Sequence, residues 1–218
     1  MEIWRHNICR KLVHIGCGIT LAHINVPGAH LKAIIIAVAV ISIIIFKTVP
    51  LRFGIKDDAG IIWYNLIVLL FAVFGLPLRV LLPVFIIDPV ACIVGISTKS
   101  RKWCGNKTVY GTVAAGIASY FSLYYVRVQQ HRILLSLVLP ITEGIMRQHD
   151  NIGISVVVLL YYCAAQHFGW PTEKWKLMHH NSAYLSDIIR FILSSFKGFL
   201  DAVARMLASK LSHALLQL

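Results

Sequence analysis

Residues 80–96 read VLLPVFIIDPVACIVGI, an apolar run with one carboxylate, Asp88, and Pro89 set in its middle. A segment apolar on every face has no side to turn to water, so it belongs in a large core or in a bilayer. The rest of the chain decides between them. Of 218 residues, 58% are hydrophobic, more apolar surface than one soluble core can hide. Six similar runs accompany the first, at residues 8–26, 33–49, 61–76, 108–126, 133–146 and 152–170. Several fall short of the roughly 20 residues of a full crossing, which implies tilt, re-entrance or a displaced boundary. None alternates as a barrel strand does, and lipid admits only helices or closed barrels. The expected fold is therefore all-α, a polytopic membrane helix bundle of about seven spans.

Charge orients such a bundle. The net charge is +12 at pH 7, which also favours anionic headgroups. With the N-terminus cytoplasmic and seven spans, one side receives Arg5, Arg10, Lys11, Lys47, Arg52, Lys56, Lys99, Arg101, Lys102, Lys107 and Arg147. The other receives only Lys32, Arg79, Arg127 and Arg132. That bias matches the positive-inside rule and puts the polar clusters on the cytoplasmic side of an integral membrane protein. Nucleic acid is not an expected partner, because the basic residues are spread over loops instead of along one soluble face. The first run carries Arg10, Lys11 and His14 and lacks a small-residue cleavage site, so it is expected to stay. The five cysteines have no CxxC spacing, and only His179-His180 are adjacent among the histidines. Neither pattern points to a disulfide framework or a zinc site.

Two domains are expected: a membrane-embedded catalytic bundle over 1–171, and a polar linker with an amphipathic C-terminal helix over 172–218. From Leu185 onward Ile189, Ile192, Phe196, Phe199 and Val203 share one helical face, opposite Arg190, Lys197, Asp201 and Arg205. Such a helix either lies in the membrane interface or docks on the bundle.

Four polar clusters interrupt the apolar runs. Arg10 and Lys11 are accompanied by His14 one helical turn on, and in isolation the two cations serve equally as topology markers. Asp88 must meet a cation, a proton or a metal, since a bare carboxylate in such a run costs several kcal/mol. It reads as a Mg²⁺ ligand or general base, or else as a structural partner for a basic residue. In Gly105-Asn106-Lys107-Thr108-Val109-Tyr110-Gly111-Thr112, glycine permits close backbone approach, and a helix starting near Thr108 would aim free N–H groups at an anion. It is not a Walker A loop, because GxxxxGK[ST] is absent. Glu143 and Asp150-Asn151 close the sixth run as metal ligands or hydroxyl-orienting groups, with a capping turn the alternative for the latter pair.

RKLVH, DPVACIVG, GNKTVYGT and then Glu143 with a downstream Asp-Asn, in this order among apolar spans, resemble the polyprenol kinase family, which includes dolichol, phytol and CTP-dependent diacylglycerol kinases. The resemblance covers roughly residues 10–154. Arg10, Lys11 and His14 match the basic motif, and Asp88, Pro89, Ala91 and Gly95 the acidic one. Gly105, Lys107, Thr108, Gly111 and Thr112 match the glycine and Lys-Thr segment; Glu143, Asp150 and Asn151 match the last. Ile87 stands where the family pattern has alanine, and an acidic, arginine-containing segment between the first two motifs is not evident.

The resemblance implies a multi-span lipid kinase that moves the γ-phosphoryl group of a nucleotide, CTP or ATP, to a lipid alcohol such as a polyprenol, phytol or diacylglycerol. Asp88 with Glu143, Asp150 and Asn151 would bind Mg²⁺. Lys107, Gly105, Asn106, Thr108, Gly111 and Thr112 would hold the nucleotide, while Arg10, Lys11 and His14 would act at the transferring group. Two rivals stand beside it. One is a phosphatidate cytidylyltransferase-like enzyme, disfavoured because its acidic, glycine-rich signature is absent; the other is a non-catalytic membrane transporter or scaffold using Asp88 and Glu143 as a relay.

Overall fold

The computed structural model describes residues 2–24, 29–49, 59–146 and 149–172. These belong to the unit Met1–Trp175. The expected amphipathic helix from Leu185 and nearly all of the 172–218 segment lie outside the described residues.

The described residues are mostly helical: α1 (Glu2–His23), α2 (Ala29–Thr48), α3 (Ala59–Phe74), α4 (Leu82–Thr98), α5 (Val109–Ser122), α6 (Gln129–Met146) and α7 (Asp150–His167). Each expected apolar run coincides with one helix. Two helical stretches are long and apolar enough to cross a membrane, His30–Thr48 and Leu78–Thr98, the latter entered through a 3-10 turn at Leu78–Leu81. Gly60–Phe74 is apolar but shorter. One element departs from an all-α chain. The basic loop after α4 forms an antiparallel hairpin, β1 (Lys102–Cys104) and β2 (Lys107–Thr108), whose two-residue turn places Gly105 at φ 54°. That left-handed backbone suits glycine.

Apolar side chains face outward on several helices. Ile34, Val38, Ile41 and Ile45 are exposed on α2, Val113, Ile117 and Phe121 on α5, and Leu134, Leu137, Ile141 and Ile145 on α6. Their three- and four-residue spacing marks one continuous stripe per helix. The inward stripe of α5 is made of small residues, Gly111, Ala115, Ser119 and Ser122, and that of α6 includes Ser136, Pro140, Glu143 and Gly144. On α5 and α6 the large apolar side chains thus face outward while small and polar ones face inward.

Helix α4 is the hub, packing most extensively on α5 and also on α1, α6 and α7. Small residues allow the close approach. A Cβ at Gly111 would stand 2.6 Å from the Ala91 carbonyl oxygen, and one at Gly95 would stand 2.7 Å from Thr108 Oγ1. On the other side α1 runs antiparallel to α4. Lys11 meets Asp88, Gly18 lies against the Phe85 ring, and Arg79 Nε, just ahead of α4, donates to the Ala22 carbonyl at 3.3 Å. Pro89 lies within α4 and deprives the Phe85 carbonyl of its helical donor next to Asp88.

Gly18→Val is expected to force α1 off Phe85 and lower the unfolding temperature in lipid nanodiscs, at an overpacking cost on the order of 1–3 kcal/mol. Gly16→Ala, with nothing within 4 Å of its new Cβ, is the neutral control. Wild-type stability for Gly18→Val would contradict the α1–α4 crossing.

Candidate functional site

Asp88 does not sit at the end of its helix. It lies ten residues before Thr98 (98 − 88), about 15 Å along the axis at 1.5 Å per residue. Lys11 and Asp88 are recessed within α1 and α4, and the chain reaches down to them. Helix α5 begins level with Gly95 and Ala91, so the hairpin folds back beside α4 and delivers Lys107 toward the carboxylates.

Three carboxylates converge there. Asp88 of α4, Glu143 of α6 and Asp150 in the first turn of α7 are buried, and one oxygen of each lies within 4.8 Å of the other two. Two lysines serve them. Lys11 Nζ donates to Asp88 Oδ2, while Lys107 Nζ donates to Glu143 Oε1 and lies 3.4 Å from Asp150 Oδ2. Burial alone would lower the pKa of the Lys107 ammonium; the Glu143, Asp88 and Asp150 carboxylates outweigh burial and hold it above its ordinary value. Glu143 is 0% exposed, and its second oxygen, Oε2, has no hydrogen-bond partner among the described residues. Leaving a charged acceptor buried and unpaired is costly, which marks this oxygen as a position suited to a ligand.

A cavity of about 540 Å³ opens onto this cluster. Asp88, Lys107 and Glu143 line it, with Ala91, Cys92, Gly95 and Gly111 on the apolar flank and Lys99, Lys102 and Asn106 farther along its wall. Thr108 and Thr112 also face it. Of the residues singled out from sequence, Asp88, Asn106, Lys107, Thr108, Gly111, Thr112 and Glu143 therefore share one cavity. Others stand behind it. His14 packs edge-on against Tyr64 with ring centroids 4.2 Å apart, between α1 and α3. Asn151 turns its amide to the Gly60 carbonyl at 3.2 Å, tying α7 to α3, and its backbone N–H donates to Asp150 Oδ1 at 2.8 Å. Asn151 thus supports Asp150 through its backbone, while its own side-chain oxygen, Oδ1, is buried without a hydrogen-bond partner among the described residues. Arg10 is half-buried on α1 beside Lys11.

The expected cradle of free backbone N–H groups at the start of α5 is not formed. Val109 N–H donates to the Arg101 carbonyl (2.9 Å), Tyr110 N–H to Ser100 Oγ (3.1 Å) and Gly111 N–H to Thr108 Oγ1 (3.2 Å). Thr108 acts as an N-cap, and the amides it and the hairpin satisfy have no donor left for an anion. The cationic side chains that line the cavity are Lys107, Lys99 and Lys102.

Sequence reasoning also missed the device that seats the hairpin. Trp103 of β1 donates from Nε1 to Thr112 Oγ1 at 2.7 Å, and its ring lies where a Cβ on Gly144 would be. Gly144 follows Glu143, so the indole holds β2 and Lys107 against the end of α6. The Gly-Asn turn flanked by Lys-Trp-Cys and Lys-Thr was a hairpin signal, but its strands are too short and basic to show an apolar alternation.

No family model, curated protein or solved structure matches the chain.

Gly144→Val is expected to displace the indole and destabilise the protein, and removing the ring with Trp103→Ala should relieve most of that cost. The cycle should show a coupling of roughly 0.5–3 kcal/mol in thermal or denaturant unfolding. Simple additivity would mean that Trp103 does not seat the hairpin on Gly144.

Proposed function

We propose that the chain is an integral membrane kinase that transfers the γ-phosphoryl group of a nucleotide, CTP or ATP, to the hydroxyl of a lipid alcohol. The observation that carries this reading is the convergence of Asp88, Glu143 and Asp150 with Lys107 and Lys11 beside one cavity, inside helices whose outer faces are apolar. Two stretches long enough to cross a bilayer and the outward Ile, Leu, Val and Phe stripes support the membrane setting. A bundle of about seven spans with this site toward the cytoplasm fits the basic loops.

Phosphoryl transfer asks a protein for positioning and charge stabilisation more than for covalent chemistry. Asp88, Glu143 and Asp150 would hold Mg²⁺, which when bound neutralises charge on the phosphate oxygens. The donor set fits it, since Mg²⁺ prefers hard carboxylate oxygens and Glu143 Oε2 is buried without a partner among the described residues. Lys107 holds the nucleotide phosphates as a mobile point charge, and Lys99 and Lys102 attract the triphosphate to the cavity. The acceptor hydroxyl enters along the apolar flank of Ala91, Cys92 and Gly95. Its oxygen bonds to the γ-phosphorus as the bond to the β-phosphate oxygen breaks, and its proton passes to Asp88. Lys11 balances charge on Asp88, and the nucleoside diphosphate leaves.

In nanodiscs, γ-labelled CTP and ATP are tested against diacylglycerol, phytol and polyprenol. A labelled lipid phosphate and free nucleoside diphosphate are expected; no labelled lipid across the panel, or release of pyrophosphate instead, counts against the kinase. Asp88→Asn and Lys107→Ala should each reduce turnover by roughly 100-fold or more. Retained turnover in both folded variants would remove these residues from the chemistry.

A further inference from the structure

We infer that Lys107 is the resident cation of the carboxylate cluster, and that it must vacate the cluster for a divalent ion to enter. On this view the ion binds more tightly as its nucleotide complex than alone. The inference rests on the metal reading of the proposed function and adds how that site is regulated.

The geometry has three parts. The oxygens of Asp88, Glu143 and Asp150 that lie within 4.8 Å of one another form a single pocket of negative charge, and Lys107 Nζ sits among them. Its ammonium contacts Glu143 Oε1 and approaches Asp150 Oδ2 at 3.4 Å, so it occupies the volume between two of the three carboxylates. Yet one ammonium with three donors does not complete the cluster. Glu143 is 0% exposed with Oε2 unpartnered among the described residues, and the Asp150 contact is long. The pocket is therefore filled by a monovalent group that leaves part of its donor set unused.

A divalent ion placed between the same oxygens would stand within contact distance of a positive charge, and the two exclude each other electrostatically. The backbone under Lys107 is fixed by the Trp103 anchor and the hairpin, but its four-carbon stem is not. The cavity gives that stem somewhere to go, because Lys107 already lines it beside Thr108 and Asn106. Nucleotide phosphates arriving there offer the ammonium a new anionic partner while their own metal takes the carboxylates. A bare ion offers no such exchange and must expel Lys107 without compensation. Opposite-charge competition of this kind makes a site selective for metal–nucleotide over free metal.

The probe is Mn²⁺ alone, titrated by electron paramagnetic resonance into the full chain in nanodiscs of neutral lipid. Lys107→Met should bind Mn²⁺ at least tenfold more tightly than wild type, and adding Glu143→Gln to it should abolish the gain. Equal affinities for wild type and Lys107→Met would overturn the inference while leaving the metal site standing. No Mn²⁺ binding to either protein would instead overturn the metal reading, and the inference with it. Wild type supplies the check that needs no variant: amine-reactive labelling of Lys107, read by peptide mass spectrometry, should rise with saturating Mn²⁺ alone. It should fall when a non-hydrolysable CTP analogue is added with the ion. Labelling unchanged by bound Mn²⁺ would show that Lys107 never left, and would also overturn the inference.

Discussion

A carboxylate carried into an apolar helix bundle must find a cation, and that requirement organises this structure. Asp88 sits mid-helix in α4, where an unpaired charge would cost several kcal/mol. Lys11 meets it from α1, which sets the antiparallel crossing of the two helices around Gly18 and Phe85. Glu143 and Asp150 raise the same demand at α6 and α7, and Lys107 answers both from the hairpin. Two ammonium groups thus tie α1 to α4 and the hairpin to α6 and α7. Such pairs are weak evidence for stability, because desolvation offsets most of their attraction, but breaking one leaves a bare charge and is strongly unfavourable. They act on which arrangement forms more than on how stable it is.

Packing makes that arrangement reachable. The small inward stripe of α5 lets it lie against the Ala91 carbonyl, so the hairpin before it descends to the level of the acids instead of stopping at the end of α4. Trp103 then fixes the hairpin on the one residue of α6, Gly144, that leaves room for an indole beside Glu143. Indole rings commonly settle at membrane interfaces, where an apolar face and an N–H donor are both served. Here the N–H finds Thr112. Outward Ile, Leu and Val on α2, α5 and α6 stay exposed among the described residues, as the proposed membrane setting requires.

Much of this was legible in the sequence. Apolar runs located the helices because each is long, nearly uncharged and bounded by polar residues. Asp88 and Glu143 stood out because charges are rare inside such runs, and Lys107 through its glycine and Lys-Thr segment; the three do share one cavity. Thr108 was correctly placed at a helix start, but its hydroxyl takes the amide that was expected to be free for phosphate. Asp88 and Pro89 were read in the middle of one apolar run, and α4 does continue past them to Thr98. His14 and Asn151 drew attention as polar residues in apolar surroundings, and their partners, Tyr64 and the Gly60 carbonyl, are long-range contacts that no local pattern announces. Trp103 was invisible for the same reason: its importance comes from a glycine about forty residues away along the chain.

The account depends on Lys107 reaching the buried carboxylate of Glu143. A double-mutant cycle on unfolding in nanodiscs, with Lys107→Met, Glu143→Gln and the two combined, measures that directly. The account predicts that the neutral double variant recovers stability lost by at least one single variant, with a favourable coupling on the order of 1 kcal/mol or more. Additivity within about 0.5 kcal/mol would show that the two side chains do not meet, and would contradict it.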